Sequence, residues 1–216
     1  MGDERNGRIC VLLADSHAPT RAGLRLALER GGFAVCADAA DADGAVEAAE
    51  RERPQVCLLD VRLHGGGIAA AARITAKLPE TAVVMLAAAE DDLDLFDALR
   101  AGASGYLSKD TNPERLPAIL GGVLRGEAAL SRRLAARVIA EFRARDRRQV
   151  AIADASGVAL TGREGEVLDL MLQGLGTRDI ARRLFIAPGT VRTHVAAVLR
   201  KLHVPDREAA RRLLSR

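Results

Sequence analysis

Two acids and one lysine carry the chemistry that is legible in the first half of this chain. Asp15 ends the apolar run "ICVLLAD", Asp60 ends "VCLLD", and Lys109 follows "GYLS". In an open α/β sheet, residues at the carboxyl ends of the strands face the binding crevice. Lys109 is one of only three lysines, with Lys77 and Lys201, among 32 Lys and Arg. Where arginine is the habitual base, a lysine at this place points to a need for a compact ammonium rather than a planar fork. A plainer reading stands beside it, in which an Asp–Lys pair simply holds the crevice together. The second half offers a different chemistry, a set of arginines at helical spacing: Arg178, Arg182, Arg183, Arg192 and Arg200.

The elements that must position these groups follow from the apolar pattern. Continuous apolar runs at 9–14, 34–37, 56–60, 82–87 and 105–107 alternate with Ala- and Leu-rich helical patterns near 20–30, 43–52, 68–77, 93–101 and 113–124. Unbroken rather than alternating apolar strands belong to a parallel sheet covered on both faces. Five βα units make an α/β, doubly wound, five-stranded parallel sheet over residues 1–127. Residues 128–157 read as a helical, then flexible, linker: 130–148 is helical and arginine-dense, and "QVAIADASG" is a joint. Residues 158–216 read as an all-α, four-helix domain. There Thr161 and Glu164 in "LTGRE" form a capping box, and a three-residue turn before Pro188 gives a helix-turn-helix. In the helix from Pro188, Val191, Val195, Val198 and Leu202 recur at four- and three-residue spacing and make the core face.

Charge divides the chain the same way. Residues 1–127 hold 14 basic and 20 acidic side chains, and 128–216 hold 18 and 9, so a net charge of +3 conceals halves of −6 and +9. A basic C-terminal module suits a nucleic-acid backbone, through phosphate contacts and counterion release. No apolar run reaches the length of a membrane span, and the polar start "MGDERNGR" lacks the core of a signal peptide, so a cytoplasmic protein is expected. Cys10, Cys36 and Cys57, odd in number and without a C-x-x-C pair, read as small buried hydrophobes kept as reduced thiols. The "GGG" at 65–67 follows the third strand instead of opening the first crossover, which argues against a dinucleotide-binding enzyme.

The ordered set Asp15, Asp60 and Lys109, with "ALRAGASGYLSKD", resembles the receiver domain of two-component response regulators over residues 8–125. The stretch "LTGREGEVLDLMLQGLGTRDIARRLFIAPGTVRTHVAAVLRKLHV" resembles the LuxR-type helix-turn-helix. The whole is similar to the NarL/FixJ class of transcriptional regulators. The resemblance implies that Asp60 is the phosphoacceptor, attacking a phosphodonor to form an aspartyl phosphate. It assigns a Mg²⁺ site to an acidic pair after the first strand, to Asp60 and to the Arg62 backbone carbonyl, hard oxygens that suit such an ion. Lys109 would meet the phosphoryl group, and Tyr106 matches the family's switch aromatic.

Three departures stand out. The acidic pair is reduced to Asp15-Ser16, and a hydroxyl brings no charge to a cation, so any Mg²⁺ site is weak. Ala87 replaces the hydroxyl residue that couples phosphorylation to surface change. His64 replaces a proline in a loop one residue short. An atypical receiver, regulated partly or wholly without phosphorylation, is therefore expected, with a conventional phosphorylation switch or phosphorelay receiver as the alternative. His17 and His64 beside the crevice read as polar surface rather than metal ligands.

In the second domain the resemblance places base contacts on Arg192, Thr193 and Ala196, with Thr190, His194, Arg200, Lys201, Arg178 and Arg182 near the DNA. Arg192 suits guanine, and the Thr193 methyl suits a thymine methyl. The implied partners are double-stranded DNA, a second copy or a related regulator paired through the last helix, and a sensor kinase or small ligand as input. Catalysis of a metabolic reaction is not expected.

Overall fold

The computed structural model describes residues 7–89, 91–156 and 159–214. The polar N-terminal hexapeptide and the Val158 domain boundary lie outside them. The chain divides into two compact units, Met1–Leu134 and Ala135–Arg216.

In the first unit, β1 (Cys10–Ala14), β2 (Ala34–Ala39), β3 (Val56–Asp60), β4 (Ala82–Ala87) and β5 (Gly105–Ser108) alternate with α1 (Ala18–Arg30), α2 (Ala42–Glu52), α3 (Gly67–Lys77), α4 (Asp92–Arg100) and α5 (Leu116–Leu124). All strand pairs are parallel. The strand order is β2-β1-β3-β4-β5-β6. The sheet therefore has six strands, not five. The two-residue β6 (Ala129–Leu130) pairs with Gly105 and Tyr106. So short a run carries no period that a sequence could reveal.

Connections leave β1 toward β2 on one side, while β3 lies on the other. The point of reversal falls between β1 and β3, where doubly wound sheets open their crevice. β1 and β3 are neighbours with Ala14 opposite Leu59, so the next residues along, Asp15 and Asp60, come side by side at the crevice mouth. Beneath them, Val11, Leu13, Val56, Leu58, Val84 and Leu107 pack with Leu28, Leu116 and Leu120 of α1 and α5.

The "GGG" earns its place through backbone geometry. Gly65 and Gly66 have φ of +83° and +98°, and a Cβ on Gly67 would lie 1.8 Å from the Asp60 carbonyl oxygen. Only glycine tolerates such a turn and approach. These residues fold the loop after Asp60 tightly onto the strand.

The cysteine expectation is overturned for two of the three. Cys10 and Cys36 are joined in a disulfide, with Cα atoms 5.7 Å apart across 26 residues of sequence. Cys57 is a free, buried thiol. Adjacency of β1 and β2 and a register irregularity created the pairing, and neither is visible in the spacing.

The expected joint is helical instead. α6 runs unbroken from Arg132 to Ser156. "QVAIADAS" contains neither glycine nor proline, and its alanines favour the helix. Gly157, the last residue of the expected joint, lies outside the described residues.

The second unit holds α7 (Gly162–Leu172), α8 (Thr177–Arg183), α9 (Pro188–Lys201) and α10 (Arg207–Leu214). Val191, Val195, Val198 and Leu202 are all buried, packed with Val167, Leu168, Ile180 and Ala210. The turn from α8 to α9 comprises residues 184–187, with Phe185 in the left-handed region at φ 51° and Pro188 opening α9.

Candidate functional site: a closed crevice and an exposed helix

Asp15 and Asp60 are 2% and 5% exposed, and one cation serves both. Lys109 Nζ lies 2.7 Å from Asp15 Oδ2 and 2.9 Å from Asp60 Oδ2. The other carboxylate oxygens are also engaged. Asp15 Oδ1 accepts the His17 amide at 2.8 Å, and Asp60 Oδ1 accepts the Arg62 amide at 3.0 Å. Lys109 is aimed by its backbone, whose N–H donates to Ala87 O at 2.8 Å. Burial pulls the Lys109 ammonium down, but its hydrogen bonds to Asp15 and Asp60 outweigh this and raise its pKa. The proton thus stays on the lysine across the physiological range.

Ser16 does not face a cation. Its hydroxyl donates to Ala40 O at 3.1 Å and accepts the His64 amide at 3.1 Å. The loops after β1, β2 and β3 are stitched at one atom, and the stitch is extended by Ala42 N donating to His64 O at 2.8 Å. Arg21 holds the same loop from α1, donating to Asp15 O at 2.6 Å. The residues present do not make a Mg²⁺ site as they stand. Two carboxylates converge, but on an ammonium, and the third position is a hydroxyl already spent on the backbone. Among the described residues no group of three or more His, Cys, Asp or Glu could hold a metal ion, and His17 and His64 are exposed.

Ala87 and Tyr106 are both buried. The Tyr106 hydroxyl is buried with no hydrogen-bond partner among the described residues. Its pKa is pushed up to about 12, by burial first and then by Asp94 and Asp91, while the nearby Asp91 backbone, short of a full hydrogen bond, and Arg62 act the other way. Arg62 reaches over this region to Asp94 at 3.1 Å.

In the second unit, Arg192, Thr193, Ala196 and Arg200 are exposed on α9, opposite its buried valines, with Thr190 exposed at its start and His194 half-buried. The Thr193 hydroxyl donates to Gly189 O at 3.2 Å. On α8, Arg178 and Arg182 are exposed, and Arg182 is paired with Asp179. Lys201 is brought to a different place. Its ammonium lies 2.6 Å from Glu164 Oε2 and 3.3 Å from Ala159 O. Glu164 also closes the capping box, accepting the Thr161 amide at 2.7 Å while the Thr161 hydroxyl accepts the Glu164 amide. The Lys201 hydrogen bond, against the opposing effect of burial, holds the Glu164 carboxyl below its usual range. Further arginines act as internal clamps that sequence reasoning missed. Arg163 donates to Leu184 O, Arg207 to Thr177 Oγ1 and Arg211 to Met171 O. No local pattern announces a contact between residues 20 to 40 positions apart.

A doubly wound domain with acids and a lysine at its switch point, joined to a helix-turn-helix, defines a two-domain regulator of the receiver class. Residues 11–121 match the response regulator receiver domain, and 158–214 match the LuxR family of bacterial regulatory proteins. The chain belongs to the response-regulator family and is a DNA-binding transcriptional regulator of the NarL/LuxR type. It is 38% identical to the uncharacterized transcriptional regulatory protein YxjL of Bacillus subtilis, over 94% of this chain and 93% of that one. A LuxR-family two-component response regulator from Aurantimonas sp. SI85-9A1 is 32% identical in its solved structure, with a TM-score of 0.57 over 64% of this chain and 99% of that one. The fold is also that of RcsB from Salmonella enterica serovar Typhimurium, solved bound to promoter rprA, at 22% identity and a TM-score of 0.55 over 97% of this chain and all of that one.

Proposed function

We propose that this regulator binds a specific duplex DNA site through α9 and is controlled partly or wholly without phosphorylation of Asp60. The observation that carries the reading is the Ser16 hydroxyl, bound to Ala40 O and to the His64 amide at the place where the family's second acid would meet a divalent ion. With Ser16 tied to Ala40 and His64, no second acid draws such an ion in. With alanine at position 87, no hydroxyl there would report a phosphoryl group. The input is then a partner protein, a small ligand or abundance.

On DNA, Arg192 takes a guanine edge, Thr193 offers its methyl group to thymine, and Ala196 makes apolar contact only. Thr190, His194, Arg200, Arg178 and Arg182 meet the backbone. Two copies, or one copy and a related regulator, pair through α10, whose Leu213 is exposed, on a two-fold or direct-repeat site. The protein works in the cytoplasm.

A conventional switch is the second reading, favoured by the intact Asp60–Lys109 pair, with a sensor kinase as donor. Incubation with a small phosphodonor and Mg²⁺, followed by intact mass measurement, separates the two. Little or no gain of a phosphoryl mass, and DNA affinity equal for wild type and Asp60→Ala with or without a phosphoryl mimic, is the expected result. Full conversion that disappears in Asp60→Asn overturns it.

A further inference from the structure

We propose that Cys10 and Cys36 are a reversible thiol-oxidation site, closed by a hydroperoxide and reopened by a dithiol, whose closed form stiffens the side of the crevice that Asp15 and Ser16 share with β2. The placement is specific. β2 is an edge strand. The pairing Val11 with Val35, then Leu12 with Ala37, leaves Cys36 as the extra residue of a bulge. A bulge re-aims one side chain and breaks the regular ladder. Here the two Cα atoms come to 5.7 Å, inside the span that a bridge requires.

The two sulfurs are unequal in access, as a two-step oxidation needs. Cys36 is partly exposed, whereas Cys10 is 4% exposed. The Cys36 thiolate attacks the distal oxygen of a hydroperoxide, the O–O bond breaks, and an alcohol leaves with one proton. Cys10 then attacks the resulting sulfenic sulfur, the S–O bond breaks, water leaves, and the S–S bond forms. Two thiols lose two electrons and two protons, and the hydroperoxide takes up both. A dithiol reverses the change by exchange and is itself oxidised. The open form is also accommodated, because Val11 O lies 3.5 Å from Cys36 Sγ, ready to accept its S–H. In a reducing compartment a bridge of this kind is a transient, sensing one.

The link reaches the crevice through strand register. Beyond the bulge, Leu12, Leu13 and Ala14 pair with Ala37, Asp38 and Ala39. That register delivers Ala39 O to the Asp15 amide at 3.2 Å and Ala40 O to the Ser16 hydroxyl at 3.1 Å. Cys57 supplies an internal control. It is wholly buried, and burial pushes its thiol up to about 12, so it does not form the thiolate that oxidation requires.

The test uses the full chain, reduced with dithiothreitol, desalted, treated with hydrogen peroxide, denatured in N-ethylmaleimide and weighed intact. The chain has three cysteines, so three labels are expected before peroxide, one after it, and three again once dithiothreitol is added to the folded protein. Cys36→Ser is expected to carry two labels throughout. Hydrogen exchange at residues 34–41 and at the Asp15 amide is expected to be several-fold slower in oxidised than in reduced wild type, a comparison that needs no variant. Three labels after peroxide, a bridge that resists dithiothreitol in the folded protein, or equal exchange in the two states overturns the proposal. None of these readouts depends on Asp60 phosphorylation.

Discussion

The Ser16 hydroxyl accepts the backbone N–H of His64 at 3.1 Å while donating to Ala40 O. The position that would complete a cation site is instead a fastener between three loops. Ser16→Asp exchanges that fastener for a charge. Mg²⁺ affinity, read by titration calorimetry, is expected to rise at least about tenfold, since a unit charge near a divalent ion contributes more than ~1.4 kcal/mol even when strongly screened. An unchanged affinity would show that Ser16 is not what weakens the site.

Lys109→Met leaves Asp15 and Asp60 facing each other, both nearly buried. Uncompensated buried charge costs several kcal/mol, and the partial exposure of Lys109 reduces this, so a loss of about 2–3 kcal/mol in urea unfolding is expected. Adding Asp15→Asn to Lys109→Met should recover a good part of the loss. If the single variant unfolds like wild type, Lys109 does not neutralise the pair.

Tyr106→Phe removes a buried hydroxyl that has no partner among the described residues. Deleting an unsatisfied group is neutral or stabilising, by up to about 1 kcal/mol. A loss above about 1 kcal/mol in the same unfolding assay would reveal a partner for the hydroxyl.

Glu164 and Lys201 tie α7 to the end of α9. The Glu164 pKa is lowered in the folded state, so its contribution is present above the unfolded carboxylate pKa of about 4.3. It is lost as pH falls through the folded value. Glu164→Gln, which keeps a capping side chain, should cost about 1–2 kcal/mol at pH 7 and much less near pH 3. A cost independent of pH would remove the charge from the account.

Lys201 and Arg200 are adjacent in sequence but should separate in their effects. Arg200→Ala is expected to lower the salt dependence of DNA binding by about one phosphate contact, a slope change near 0.9. Lys201→Ala should chiefly lower stability. Arg192→Ala together with Arg200→Ala should abolish preference for the selected site, with Arg192 alone costing about 1–3 kcal/mol. Retained affinity in the double variant would exclude α9 as the reading helix.

The sequence by itself determined the architecture. Unbroken apolar runs alternating with helical ones dictate a covered parallel sheet, and Thr161, Glu164 and Pro188 mark helix starts through local capping chemistry that acts within a few residues. The valine spacing of α9 gave its buried face, and so by exclusion the side that carries Arg192, Thr193 and Ala196. Tertiary structure decided what no local pattern encodes. It placed Lys109 on both acids at once, turned the Ser16 hydroxyl to Ala40 and His64, and took Lys201 from the groove side to Glu164. It added β6 and joined Cys10 to Cys36 across a bulge. Each of these depends on which groups, distant in sequence, the fold brings within covalent or hydrogen-bonding reach of one another. Spacing along a chain fixes faces and ends, whereas strand order, register and loop closure fix the partners.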